Sequence, residues 1–172
     1  FYQTLPIVTD DGIVTNSYRM AKFKQLTDDM VFSVRFLATA VNSITNDDVR
    51  ITKRAYIPEN RLRGFASGKV GPKDSGDFIG GNYASALNFN TTLPKLLTDL
   101  QDLDFNLFID AANVWGVDYD SSLDNSKIRS STGLSVDWHT PIGPLSFSFA
   151  VPLPKADTDS TETFRFNIGT SF

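Results

Sequence analysis

Cysteine is absent from the 172 residues, histidine occurs once, at His139, and methionine and tryptophan occur twice each. Without thiols there is neither a disulfide framework nor a thiolate metal site. No stretch approaches the roughly 18 consecutive apolar residues of a membrane-spanning helix. Positive charge is not in excess: 16 Lys and Arg stand against 20 Asp and Glu, for a net charge of −4 and a pI of about 4.9, which argues against nucleic acid as a partner. A glycine loop for phosphates is missing as well. The acidic pairs in Thr27-Asp28-Asp29 and Asn46-Asp47-Asp48 lack the spacing of a dedicated Ca²⁺ loop and read as turn formers. His139, beside Thr140-Pro141-Ile142-Gly143, has no evident nucleophile to serve and reads as a turn residue. No enzyme, metal or cofactor is expected.

The mean hydropathy of −0.16 would suit a soluble domain, but a barrel that alternates polar and apolar residues averages out near zero too. The length suits one domain. The chain opens at Phe1 with neither an initiating Met nor a signal peptide, so sequence upstream is expected.

Alternation with a period of two dominates the chain. Phe105, Leu107 and Ile109 alternate with Asn106, Phe108 and Asp110. Leu134, Val136 and Trp138, with Ile128 before them, alternate with Arg129, Gly133, Ser135 and Asp137. Leu145, Phe147, Phe149 and Val151 alternate with Ser146, Ser148 and Ala150, and Phe164, Phe166 and Ile168 with Arg165, Asn167 and Gly169. In a strand this puts an apolar row on one face and a polar or small row on the other. The fold class is all-β, with about eight strands of a length that a tilted membrane-spanning strand needs. They are placed at 1–9, 13–26, 30–44, 79–93, 102–116, 126–140, 143–154 and 161–172. Asp28-Asp29, the Pro94 region and Pro141 to Pro144 make short connections at one end. Asp10-Asp11-Gly12, the long 45–78 stretch, 117–125 and 155–160 make the other end. Short turns at one end and longer loops at the other suit a transmembrane antiparallel up-and-down barrel. Alternation alone leaves a soluble sandwich or lipocalin-like barrel open, because either face could point inward. A terminal aromatic, Phe172, favours lipid on the apolar side. Neither a repeat nor a linker divides the chain, so 1–172 is taken as one barrel domain.

Five segments carry a resemblance: Arg61-Leu62-Arg63-Gly64-Phe65, then GGNYASALNFNTTLP, FNLFIDAANVW, WHTPIGPLSFSFAVPL and FRFNIGTSF. In this order, from about Tyr56 to Phe172, they resemble the C-terminal half of the barrel of BamA-like outer-membrane protein assembly factors of the bacterial surface antigen family. That family's barrel has about sixteen strands, preceded by periplasmic domains. The resemblance therefore implies half of a barrel in a Gram-negative outer membrane, without the periplasmic part. It implies folding and insertion of other outer-membrane proteins, with unfolded outer-membrane proteins, accessory lipoproteins and membrane lipid as partners. In the implied mechanism an incoming strand pairs at a weakly closed seam while a thinned bilayer eases insertion.

The resemblance also assigns residues. The tip Arg63, Gly64 and Phe65 of a long loop folds into the lumen and touches wall residues Asp110, Phe108 and Asn88. Relatives place an acid where Asn88 stands, so the Arg63 site would rest on one carboxylate. The physics fits: a guanidinium leaving bulk water needs a carboxylate and gains from an aromatic face. Read without the resemblance, an Arg beside a Phe in a loop is a solvated charge beside a partly buried ring. Phe164, Phe166, Ile168 and Phe172 look like a targeting signal read by strand addition, and Gly169 like a glycine that kinks the last strand and loosens the seam. The alternative is a small passive barrel, self-closed or anchoring, without insertase activity.

Overall fold

The structure, a computed structural model, describes residues 2–4, 12–45, 47–94, 102–124, 127–141 and 143–169. Eight strands form one antiparallel sheet in chain order: β1 (Tyr2–Thr4), β2 (Ile13–Thr27), β3 (Met30–Ser43), β6 (Tyr83–Thr92), β7 (Leu103–Trp115), β8 (Arg129–Thr140), β9 (Gly143–Pro152) and β10 (Phe164–Ile168). A separate hairpin, β4 (Lys73–Asp74) with β5 (Asp77–Phe78), lies inside the long loop between β3 and β6. β1 and β10 are the end strands, and among the described residues no pairing joins them. β2, β3 and β6 to β9 run 10 to 15 residues, enough to cross a bilayer at a tilt.

Register fixes which row faces which way. Phe164 pairs with Phe149 and Phe166 with Phe147, and their rings meet at a tilt with centroids 5.0 Å apart in both pairs. Leu107, Ile109, Trp138, Phe149, Val151, Phe164, Phe166 and Ile168 are all exposed on this outer face. Ser135, Ser148 and Arg165 are buried on the inner face. Two outer aromatic groups lie near the strand ends: Tyr83 on Trp115 at the loop end and Phe32 on Phe89 at the turn end, as expected for rings at membrane interfaces.

The inner face is not uniformly polar. Towards the loops it carries Leu37, Val41, Ala84, Ala86, Ala112 and Val114, which pack with Ile57, Leu62, Phe65 and Val70 of the long loop into the buried apolar cluster. Towards the turns it carries Arg35, Asn88, Asn90, Asn106, Asp110 and Asp137. The loop thus supplies the apolar filling that a barrel interior of small side chains lacks.

Four expected strand limits need correction. Strand 79–93 begins at Tyr83, because Gly81 instead bridges Ala55 of the loop. Strand 126–140 begins at Arg129, and strand 143–154 ends at Pro152. Strand 161–172 begins at Phe164, because Thr161 pairs with Phe65 of the loop. In each loop-linked case a long-range partner takes the backbone groups that a longer ladder would have used. The stretch 45–78, expected to be irregular, holds the β4–β5 hairpin and two short 3₁₀ turns, Ile51–Lys53 and Glu59–Arg61. Residues 5–9 of the first expected strand and Phe172 lie outside the described residues.

Candidate functional site

Pro58 starts the Glu59–Arg61 turn, and the chain leaves it at Leu62 with φ of −149° and ψ of 86°. Arg63 then meets Asp110, the inner-face residue paired across the ladder with Asn88. Arg63 Nε and Nη2 donate to Asp110 Oδ2 and Oδ1 at 2.7 and 2.8 Å, and the Arg63 backbone N–H adds a third bond to Oδ2 at 3.1 Å. Asn88 Nδ2 donates to Oδ1 at 2.8 Å. Asp110 is fully buried and accepts four hydrogen bonds, so its charge is held by a two-pronged guanidinium and two amide donors.

The Arg63 guanidinium carbon lies 3.5 Å from the centroid of the Phe108 ring. Phe108 shares the inner-face parity of Asn106 and Asp110, and Gly133 stands opposite it on β8. A Cβ on Gly133 would come within 2.8 Å of the Phe108 ring and 2.0 Å of the Phe149 carbonyl oxygen. The absent side chain gives the ring its seat, and the ring supports the guanidinium.

Gly64 follows with φ of +88°, a backbone conformation costly to any residue with a Cβ. A Cβ there would also press on Ala150 and Ser131 at 3.1 and 3.2 Å. Ser131 Oγ donates to the Arg63 carbonyl, tying the tip to β8. Phe65 is 1% exposed and belongs to the apolar cluster.

Asn88 and the Arg63 side chain meet at the same Asp110 oxygen, Oδ1. The Asn88 amide donates to Asp110 and to the Arg61 carbonyl, the latter at 2.8 Å, and its oxygen accepts from Arg61 Nη1 at 3.3 Å. An amide serves here because the position needs two donors, which a carboxylate at that place could not supply.

Arg61, Arg165, Arg129 and Arg54, all buried, were given no site role from the sequence, although Arg165 was expected on the lumen row. Arg165, on the inner row of β10, donates to the carbonyls of Glu59 and Phe65 at 2.6 Å each and pairs with Glu162 at 2.8 Å. Arg129 is fully buried against Asp159, and Arg54 pairs with Asp118 at 2.5 Å. Backbone bonds from Ala66 to Ser160 and from Glu162 to Gly64 join the docked tip to the segment that enters β10. Loop tip and end strand are therefore one connected unit.

Charge is unevenly balanced around the tip. Burial, and then the neighbouring charges of Arg35 and Arg19, hold the Arg61 guanidinium below its ordinary range, against the pull of Asp110. At the loop mouth, burial pushes the Asp118 carboxyl upward. The Val49 N–H, the Asn82 amide, its own backbone N–H and Arg54 outweigh this and hold it below the usual range.

The remaining assigned residues lie on β10 and beyond it. Phe164, Phe166 and Ile168 form its exposed outer row, Ile168 at 74%. Gly169 has φ of +102° and ends the strand, while its N–H still donates to the Pro144 carbonyl at 2.8 Å. Phe172 lies outside the described residues.

The sequence matches the Omp85 superfamily domain over residues 3–172. The outer membrane protein assembly factor BamA of Neisseria meningitidis serogroup B is 31% identical over 139 residues, covering 64% of this chain and 17% of that protein. BamA of Nitratidesulfovibrio vulgaris is 29% identical over 177 residues, covering 97% of this chain and 21% of its own length. The human sorting and assembly machinery component 50 homolog is 31% identical over 88 residues, covering 49% of this chain and 19% of that protein. The crystal structure of Haemophilus ducreyi BamA lacking POTRA domains 1-3 superposes with a TM-score of 0.82 at 28% identity, covering 91% of this chain and 35% of that one. The chain thus spans about a fifth of the BamA sequences it matches, at 17% and 21%.

Proposed function

The chain belongs to the Omp85 superfamily, and on that premise we propose that it is part of an outer-membrane barrel that folds and inserts β-barrel proteins at the edge of β10. Unfolded outer-membrane proteins are its clients, accessory lipoproteins of an assembly complex its partners, and membrane lipid its surroundings. The observation that carries this reading is the coupling of β10 to the docked loop. The described pairing of β10 with β9 covers five residue pairs, from Phe164–Phe149 to Ile168–Leu145, against ten between β8 and β9. Arg165 meanwhile hangs β10 on two carbonyls of the loop.

The chemistry is backbone pairing. A strand edge in hydrocarbon holds N–H and C=O groups that cost several kcal/mol each when unpaired, so an open β10 edge is a strong template for an incoming strand. The left-handed Gly169 ends β10 and lowers the cost of parting its free edge from a neighbouring strand. The loop keeps β10 in place while its outer edge changes partner. Phe164, Phe166 and Ile168 offer an outer row against which alternate client side chains can pack.

Reconstitution tests the reading. The full-length protein in liposomes is expected to speed folding of a barrel client, followed by its heat-modifiable mobility. Arg63→Ala should slow that folding, and Lys69→Gln, in an exposed part of the same loop, should not. Client folding at the rate of protein-free liposomes would leave the chain a passive wall.

A further inference from the structure

We propose that Arg35 and Arg61 together form a receptor for an oxyanion, a carboxylate or a phosphate, on the inner wall below the docked loop. Both line a cavity of about 500 Å³ that reaches from β2 to β10. Arg35, half-buried on β3, makes no hydrogen bond or ion pair with any described residue. Arg61 is 8% exposed, and among the described residues its side chain donates to one partner, the neutral amide oxygen of Asn88.

Three of the four acids close by are engaged elsewhere. Asp110 is saturated by Arg63 and Asn88. Asp137 accepts from Asn106 at 2.8 Å and from Ser146, and Glu162 is held by Arg165. Glu59, the other acid lining the cavity, is exposed and makes no ion pair with a described residue. Asp110 and Asp137 lie near enough to act on Arg35, and Asp137 and Glu59 share the cavity, but among the described residues no carboxylate is hydrogen-bonded to Arg35 or Arg61. Guanidinium pairs suit planar or tetrahedral oxyanions, which they grip with parallel N–H donors. An anion between them would remove the mutual repulsion and add a second anchor for the loop.

Two sources could supply that oxyanion. One is a carboxylate side chain from the rest of the barrel wall, since this chain covers 35% of the solved relative it superposes on. The other is a free phosphate. The inference concerns loop anchoring, so it stands or falls separately from client insertion.

The experiment is thermal unfolding of the full-length protein in detergent, in inorganic phosphate against chloride at equal ionic strength. With phosphate as ligand, the midpoint should rise by about 1–2 °C at tenfold excess over Kd, because the unfolding entropy of so long a chain is large. The rise should vanish in Arg35→Gln and Arg61→Gln, shrink in Arg35→Lys, and persist in Lys69→Gln. With a wall carboxylate as ligand, phosphate should do nothing, while Arg35→Gln lowers the midpoint by a similar amount and Lys69→Gln leaves it in place. Either pattern supports the receptor. No phosphate effect together with an unchanged or raised midpoint in both Arg35→Gln and Arg61→Gln would overturn it.

Discussion

Replacing Arg63 and Asp110 by alanine, singly and together, separates the energy of their contact from the rest of the loop's docking. Asp110 has no exposed side chain surface and Arg63 only 12%. Removing either partner leaves the other desolvated and uncompensated, which costs about 3–5 kcal/mol for a buried pair. The double variant should cost clearly less than the sum, with a coupling of about 2–3 kcal/mol. Loop opening is read by hydrogen exchange at the Arg63 and Ala66 amides, which donate to Asp110 and to the Ser160 carbonyl. At tenfold per 1.4 kcal/mol, each single alanine variant should speed their exchange by about a hundred- to several-thousand-fold. Asp110→Asn should cost less, because an amide with its oxygen on the Oδ1 side keeps the bonds from Arg63 Nη2 and Asn88. Phe108→Leu keeps apolar volume but loses the ring face, worth about 1–2 kcal/mol. Exchange within threefold of the parent, or strictly additive costs, would refute the argument that this pair holds the tip.

Two further outcomes follow from the same geometry. Gly64→Ala, strained at φ +88° and pressed on Ala150 and Ser131, should destabilise the docked tip by about 1–3 kcal/mol, measured by the same exchange at Ala66. Asp118 is held below its ordinary value of 3.8, so its contribution is present above that value and lost as pH falls through the lower, folded one. Protection of the Val49 amide should therefore be flat from about pH 5 to 8 and fall only below about pH 4.

Strand parity was legible in the residues alone. The rows Phe147/Phe149 and Phe164/Phe166/Ile168 face outward and Ser148 and Arg165 inward, as a period of two requires. Alternation fades at the loop end because the inner residues there, Leu37, Val41, Ala84 and Val114, are covered by the loop and so are apolar too. Strand limits at 79–82 and 161–163 depended on bridges to Ala55 and Phe65, which no local pattern reports. The docked tip was legible only through family resemblance, since an Arg and an acid 47 residues apart carry no local mark. Arg165 had a visible inward parity, but its carbonyl partners lie 100 and 106 residues away. Gly133 had a cross-strand cue in Phe108, recoverable once the β7–β8 register is known.

Photo-crosslinking from β10 tests the central claim, that its edge templates client strands. A crosslinking residue placed in turn at Phe164, Arg165, Phe166, Asn167 and Ile168 of the full-length protein would meet a client stalled during insertion. Capture is expected at a client position that shifts by one residue for each residue moved along β10, because backbone pairing fixes register. Equivalent positions on the outer row of β7, such as Leu107 and Ile109, should capture lipid alone. Client capture spread evenly over β7 and β10, or without a moving register, would contradict the account.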